Sequence, residues 1–477
     1  MKVDFAKLDR AFRPQCVAVV GDKAESNYLW LRSLSDFEGK LYSVQVDPGE
    51  IEGIKALGVE NYISLSDIPE PIDLVIVAVP RQVVPRILED CIRKEVAAAH
   101  FFTAGFAETD TEEGIRFEHL LTERAEQANF HLIGPNCLGV FNPKVGVGLV
   151  DRQYSDSVGQ VGFISQSGTH TVSFAREAHI QGVAINKAVS FGNGIVLDST
   201  DYLEYFGRDP EIKVIGMYLE GVRDGRRFLR VLREISAQKP VVVWKGGRTE
   251  EGGRVIASHT ASLAIPQAIW NAAMKQYGAI PVVSIEELID TVKALLYLSP
   301  VRGDRVAVAG GSGGQSVAIA DVIVEAGLKM PLLTQESYDE LATFFTLIGG
   351  SYGNPVDTGN MNRKEMKRIL EILERDANID SLVLLTTVRF SDPAQLDRNV
   401  EVITSIRERS PKPVMAILFH SFLPEEVQKA GDIIQKLQDG GVPTFIALER
   451  GARALRNTLD YYNLKNSIGT MRSDMST

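Results

Sequence analysis

Ser165-Gln166-Ser167-Gly168-Thr169 lies between the β-branched run 161–165 and a helical stretch reaching Ala178. Small, hydroxyl-bearing and glycine residues at a helix start leave backbone N–H groups pointing outward, and the helix dipole adds partial positive charge there. The chemistry on offer is anion binding, with Ser165, Ser167, Gly168 and Thr169 as candidate phosphate contacts. From the turn alone, an N-cap with no ligand fits equally well. The arrangement recurs at Gly310-Gly311-Ser312-Gly313-Gly314-Gln315-Ser316, after the run 305–309 and before a helix at 317–326. Four glycines in the five positions 310–314 allow close backbone approach, which makes Gly311, Ser312, Gly313 and Gly314 a second candidate cradle. No Lys-Ser/Thr pair follows these glycines, so the segment is not a P-loop.

His259 lies in Ala257-Ser258-His259-Thr260-Ala261-Ser262, behind a Gly/Arg-rich loop at 246–254. An imidazole among small residues on a mobile loop is placed to move between sites. Glu220 ends the run 213–219. A carboxylate at the carboxyl edge of a sheet can hold the Nδ1–H of an imidazole, or simply cap the next helix. Of the other histidines, His100 and His131 read as polar neighbours of strands, His119 as a surface residue and His179 as a helix end. His170 sits in the helix start at 168, within reach of a bound anion, and His420 follows a strand. No two histidines have i, i+4 or HExxH spacing, so no metal site is indicated. Gly310–Gly314 also matches G-x-S-x-G, with Asp357 and His420 following in the order of α/β hydrolases. That alternative leaves the first 300 residues without a task.

The elements that must position these groups are short apolar runs alternating with amphipathic stretches. Strand candidates are 16–20, 41–46, 73–79, 97–103, 161–165, 213–219, 240–245, 305–309, 381–387, 413–418 and 443–447. Helical stretches include 84–94, 112–128, 225–236, 284–298, 363–376 and 426–438. Such alternation implies an α/β fold of parallel sheets covered on both faces. Gly/Pro-rich GPNCLGVFNPK at 134–144 and the turn cluster SPVRGD at 299–304 mark boundaries. They divide the 477 residues into three doubly wound domains, 1–145, 146–300 and 301–464, with a loose tail at 465–477. The net charge of −11 argues against nucleic-acid or anionic-membrane binding as the main role. Cys16, Cys91 and Cys137 are too scattered for a disulfide framework, and the N-terminus has no apolar h-region, so a reducing, cytoplasmic setting is expected. The apolar runs are of strand length, which implies no membrane span.

The first strand ends at Gly21, and Asp22-Lys23-Ala24-Glu25-Ser26 follows, so the G-x-G-x-x-G dinucleotide fingerprint is absent. Taken with AVP (78–80), TAGFAET (103–109), GPNCLGVFNP (134–143), ISQSGT (164–169), SFGNG (190–194), KGGRT (245–249), ASHTASLA (257–264), GGSGG (310–314) and NPVD (354–357), the chain resembles a known family. It is similar to the alpha subunit of ADP-forming acetyl-CoA and other acyl-CoA synthetases, relatives of succinyl-CoA synthetase, over about residues 8–460.

The resemblance implies a Rossmann-like CoA-binding domain followed by two flavodoxin-like ligase domains. CoA is expected at Gly21, Lys23, Val79, Pro80, Ala104, Gly105 and Asn136. Acyl-CoA and phosphate would give acyl phosphate and CoA, His259 would take the phosphoryl group, and its loop would carry it to ADP. Glu220 matches the carboxylate that orients the histidine, and the helix starts at 167–170 and 312–315 match the pair that cradles phosphate and phosphohistidine. A phosphohistidine carries about two negative charges, which helix N-termini can stabilise without a metal clamp. The three segments take up the 477 residues, so the domain that grasps ADP and Mg in this family is expected on another chain. An ATP-grasp beta subunit of about 230 residues is therefore implied as partner, with a homodimer or alpha2beta2 assembly. The alternative is a CoA or acyl-CoA sensing protein of the same fold without turnover. Two departures bear on ligand affinity: Asp22 is expected near the CoA phosphates, where it is unfavourable, and Gly168-Thr169-His170-Thr171 replaces small apolar residues.

Overall fold

The structure, a computed structural model, describes residues 2–148, 158–260, 266–311, 313–347, 351–359, 362–388, 393–420 and 423–474. The first sheet consists of β1 (Cys16–Val20), β2 (Lys40–Val44), β3 (Glu60–Tyr62), β4 (Leu74–Val77), β5 (Ala98–Phe101) and β6 (His131–Ile133). All its pairings are parallel, in the order β3-β2-β1-β4-β5-β6. This is the Rossmann order, in which the crevice opens beside β1 and β4 where the winding reverses. Both faces are covered, and β1 and β4 are accordingly unbroken apolar runs, CVAVV and LVIV, buried throughout.

The second sheet consists of β7 (Gly139–Phe141), β8 (Val161–Ser165), β9 (Ile185–Ser190), β10 (Val214–Leu219), β11 (Val241–Lys245) and β12 (Ile280–Val282). Its order is β12-β11-β10-β8-β9-β7, with β7 antiparallel to β9 and the rest parallel. Without β7 this is the flavodoxin-like order. The third sheet, β13 (Val306–Ala309), β14 (Ser381–Thr387), β15 (Val414–Phe419) and β16 (Thr444–Phe445), is parallel. Parallel bridges from Arg305 to Lys329 and from Ala309 to Val356 extend it beyond β13.

The sheets draw on consecutive stretches of the chain apart from β7, and the compact units are two, Met1–Ile285 and Glu286–Thr477. In the first unit, β7 leaves the segment that built the first sheet and pairs into the second. The helix Phe5–Phe12 buries Leu8, Ala11 and Phe12, and Phe12 lies 5.0 Å from the ring of Tyr205 and 5.5 Å from that of Phe206. A buried ion pair, Lys187 Nζ to Asp209 at 2.7 Å, is joined by Arg13 at 3.1 Å. Apolar packing and this pair bind the two sheets into one body.

In the second unit, the helix Ile285–Tyr297 is held by Asp290, which accepts from Arg450 Nε at 2.5 Å. This helix falls on the near side of the boundary expected at 300. Residues 465–474, expected to be loose, continue the helix Leu448–Asp474, whose earlier part is anchored by buried Leu455 and Leu459 and which no proline interrupts. Among the described residues no helix is long and apolar enough to cross a membrane.

Candidate functional site

The carboxyl ends of β1, β4, β5 and β6 bring Gly21, Val79, Pro80, Ala104, Gly105 and Asn136 to one edge of the first sheet. Gly21 has φ +83°, and a Cβ there would lie 2.4 Å from Val79 Cγ1, so only glycine fits this approach. Gly21 and Val79 line a cavity of about 130 Å³, together with Gln45, Leu65, Val83 and Arg86. Thr103 Oγ1 donates to the carbonyl of Val79 at 2.6 Å, and Asn136 N–H donates to the carbonyl of Thr103 at 3.0 Å. The chain thus ties three strand ends together. Arg81, which sequence reasoning passed over, donates to the carbonyl of Gly105. Asn193, in the SFGNG segment, donates to Glu108 at 2.7 Å and Glu118 at 2.9 Å and receives a hydrogen bond from Asn136 at 3.5 Å.

Asp22 does not face this crevice, contrary to the sequence expectation. Its carboxylate turns inward and accepts from the amides of Trp30 at 3.0 Å, Leu31 at 2.9 Å and Lys23 at 3.1 Å, and from Ser26 Oγ at 3.2 Å. It caps the short helix Leu29–Ser33, whose preceding residue, Tyr28, offers no side-chain cap. Burial pushes this carboxyl above its ordinary range, against the pull of those donors. Lys23 is left exposed beside the turn.

At the second sheet, β8 delivers Ser165 and the helix Gly168–Ile180 begins at once. Ser165 Oγ donates to the carbonyl of Ser167 at 2.8 Å and accepts its amide at 3.1 Å, which fixes the turn. Ser167 Oγ then caps the amide of His170 at 3.3 Å. The amides of Gly168 and Thr169, in the first turn, have no partner within the helix. Between Ser165 and Ser167 stands Gln166. Its Oε1 accepts from the amides of Glu220 at 2.5 Å and Gly221 at 2.9 Å, so it locks the end of β10 to the end of β8.

Glu220 is buried, and Tyr218 Oη donates to its Oε1 at 3.3 Å. Burial, followed by the charge and hydrogen bond of Glu220, raises the Tyr218 phenol pKa well above its ordinary value. A Cβ on Gly246 would meet Tyr218 Oη at 2.6 Å, which accounts for the glycine after β11. The His170 ring packs on Tyr218 at 4.3 Å and on Trp244 at 4.6 Å. Burial lowers the His170 pKa, and the charge of Glu220 opposes this in part.

The segment expected to be a mobile loop around His259 is largely helical. Glu250–Thr260 forms a helix that places the His259 backbone in its last turn. Thr249 Oγ1 accepts the amide of Gly252 at 3.0 Å, and Glu250 and Glu251 favour the first turn, which outweighs Gly252 and Gly253. This helix runs beside the turn Ala107–Thr109, in the same unit. The side chain of His259 lies outside the described residues.

In the second unit, Gly311, Gly313 and Gly314 open the helix Gly313–Glu325, and Ser312 lies outside the described residues. Gly310 has φ +106° and its Cβ would meet the Leu385 carbonyl at 2.3 Å. Gly310 and Gly311 line a cleft of about 190 Å³ with Gln315, Thr358, Thr386 and Asn399 at the carboxyl edge of β13–β15. Asp357, named for the hydrolase alternative, accepts the amide of Gly359 at 2.9 Å. Among the described residues no cluster of His, Cys, Asp and Glu could hold a metal ion.

Residues 15–143 match the CoA binding domain family, and residues 158–295 match the succinyl-CoA ligase like flavodoxin domain. The chain is 34% identical, over 92% of its length, to ADP-forming acetate–CoA ligase II subunit alpha of Pyrococcus furiosus, of which it covers 94%. The chain belongs to the family of ADP-forming acetate–CoA ligase alpha subunits. It is 32% identical to the ligase I subunit alpha of the same organism, covering 96% of it. It is 36% identical to ADP-forming acetate–CoA ligase I of Archaeoglobus fulgidus, but spans only 55% of that longer protein. Among solved structures, the dinucleotide forming acetyl-coenzyme A synthetase 1 of Ca. Korarchaeum cryptofilum, in complex with phosphate and ADP, superposes with a TM-score of 0.84 at 28% identity. That match covers 97% of this chain and 98% of the other.

Proposed function

We propose that this ligase alpha subunit binds CoA and forms phosphohistidine in the reaction acyl-CoA + ADP + phosphate ⇌ acid + ATP + CoA. Phosphate attacks the thioester carbonyl, the CoA thiol leaves, and acyl phosphate forms. His259 then attacks phosphorus and the carboxylate departs. The phosphoryl group passes from His259 to ADP.

The reading divides the chain into a CoA-binding segment 1–145, a phosphohistidine segment 146–300 and a second ligase segment 301–464. Gly21, Lys23, Val79, Pro80, Ala104, Gly105 and Asn136 hold CoA. Ser165, Ser167, Gly168 and Thr169 hold phosphate, with Gly311, Ser312, Gly313 and Gly314 as the second cradle. Glu220 keeps the proton on Nδ1 of His259, so that Nε2 accepts the phosphoryl group. ADP and Mg belong to a separate ATP-grasp beta subunit of about 230 residues, and the chain assembles as a homodimer or as alpha2beta2. The substrates are acyl-CoAs, with acetyl-CoA the first to test because acetate is the acid named for the three relatives above.

One observation carries the reading: Gln166 ties Glu220 to the strand end that opens the Gly168–Ile180 helix, so carboxylate and helix start share one edge. The test is incubation of the purified chain with labelled phosphate and a panel of acyl-CoAs, without nucleotide. Label on protein that survives base, is lost in acid and is absent from His259→Ala is the expected result. A chain that binds CoA and phosphate yet never takes label, even with the beta subunit added, would instead be the sensing protein.

A further inference from the structure

The helix start of the phosphate site has a carboxylate beside it. Tyr218 pairs with Ser165 on one side and Trp244 on the other, so these side chains share one face of the second sheet, and Glu220 lies two residues beyond Tyr218 on that face. A phosphate dianion at the amides of Gly168 and Thr169 is therefore placed next to a fixed negative charge. Lys245 on β11 also feels the charge of Glu220, and its Nζ donates to the carbonyl of Gly246 at 2.9 Å and lies 5.7 Å from the centre of the Trp270 ring. The group over this face is His170, third residue of the helix, and helical side chains lean back toward the N-terminus. Its ring is held by Tyr218 and Trp244, so it cannot swing away.

We infer that His170 is a proton-accepting positioning residue of this phosphate site: when phosphate binds, the imidazole takes a proton from solvent and stands as a cation between the anion and Glu220. The inference rests on the functional reading above, because it needs phosphate at this helix start. No bond to phosphorus forms, and the proton is released when the anion leaves. The groups facing the ring are Tyr218 and Glu220 from β10 and Trp244 from β11, and Glu220 is the charged one among the described residues that acts on it. With the site free, burial favours the neutral ring. A second negative group at contact distance reverses that preference. Affinity for phosphate is then strengthened below the pKa of the bound-state imidazole and loses this contribution as pH rises through it.

The test is an NMR titration of the histidine ring protons in the whole chain, with and without saturating inorganic phosphate. His170→Gln assigns the signal. Calorimetry of phosphate binding in two buffers of different ionisation heat counts the protons taken up, and His170→Gln provides the baseline for the protonation of phosphate itself. The expected result is a His170 pKa that rises by about one unit or more on binding, with proton uptake reduced in the variant. If His170→Gln folds poorly, His170→Phe, which keeps the ring packing, assigns the signal and supplies the baseline. Phosphate that binds and labels His259 while the His170 pKa stays still overturns this inference alone. Neither phosphate binding nor labelling overturns both it and the functional reading.

Discussion

After β1 the chain turns at Gly21 and folds the next carboxylate, Asp22, onto the amides of Trp30 and Leu31. After β8 it turns through Ser165–Ser167, and the helix that follows is capped by a hydroxyl with no acidic residue in its first turn. Both are strand–turn–helix openings at the carboxyl edge of a parallel sheet, where ligands of such folds bind. The first has filled its helix start with its own carboxyl group, and what it offers a ligand is close approach to bare backbone at Gly21. The second leaves its first amides and helix dipole for an external anion. A shared topology thus supports two kinds of recognition, and the difference lies in one side chain after each strand.

Exchanging the two glycines for valine is the strongest way to break this contrast. Gly21→Val forces a β-branched side chain into φ +83° and onto Val79. The left-handed backbone alone costs about 1–2 kcal/mol, so CoA affinity should fall about tenfold or more, while phosphate binding persists. Gly168 has no such backbone demand, and its Cβ would press on the Leu138 side chain, at 2.9 Å from Cγ and 3.2 Å from Cδ1. Gly168→Val should therefore crowd phosphate and slow labelling of His259 while sparing CoA. Calorimetry with each ligand on each variant reads all four combinations, and loss of both ligands in either variant would dissolve the distinction.

Asp22→Ala comes next. It strips the amides of Lys23, Trp30 and Leu31 of their acceptor, while Ser26 Oγ keeps the carbonyl of Lys23, and should lower stability by about 3 kcal/mol in denaturant melts, with CoA affinity changed less than about threefold once folded protein is compared. A marked tightening of CoA would mean that Asp22 faces the CoA phosphates after all. Ser167→Ala is the smaller counterpart. It removes the cap on His170 N–H at a cost of about 1 kcal/mol and should raise the KM for phosphate a few-fold without a comparable change in the KM for CoA.

The sequence made one of these turns plainer than the other. Ser165–Thr169 could be taken at face value because its cap is local, Ser167 to His170, three residues apart. Asp22 could not, because its partners lie eight and nine residues on, and adjacency to Gly21 pointed toward the ligand instead. The unbroken apolar strands β1, β4, β8, β10 and β11 were legible in the same way, by local composition. β9, INKAVS, was not, since Asn186 and Lys187 interrupt its apolar pattern, and that lysine is made tolerable by Asp209 and by Asn186 Oδ1, each 2.7 Å from its Nζ. The helix around His259 was hidden by Gly252 and Gly253, whose cost is offset by a cap at Thr249 and the acidic first turn. His170 was legible as a helix-start residue within reach of an anion, but its packing was not, because its aromatic partners come from β10 and β11, far away in sequence.

The finest test of the contrast is pH dependence at Asp22. If this turn were a strong anion cradle filled by its own carboxylate, the donors would hold the Asp22 carboxyl below its unfolded pKa, and ionisation would stabilise the fold. Burial instead raises it. A raised carboxyl contributes stability below its unfolded pKa and loses that contribution as pH rises through the folded value. The stability of the wild type relative to Asp22→Asn should therefore fall as pH climbs from about 4, then level off. Chemical denaturation of both proteins across that range gives the sign directly. A difference that grows with pH would make the Gly21 turn an anion site like its counterpart after β8, distinguished only by carrying its own anion.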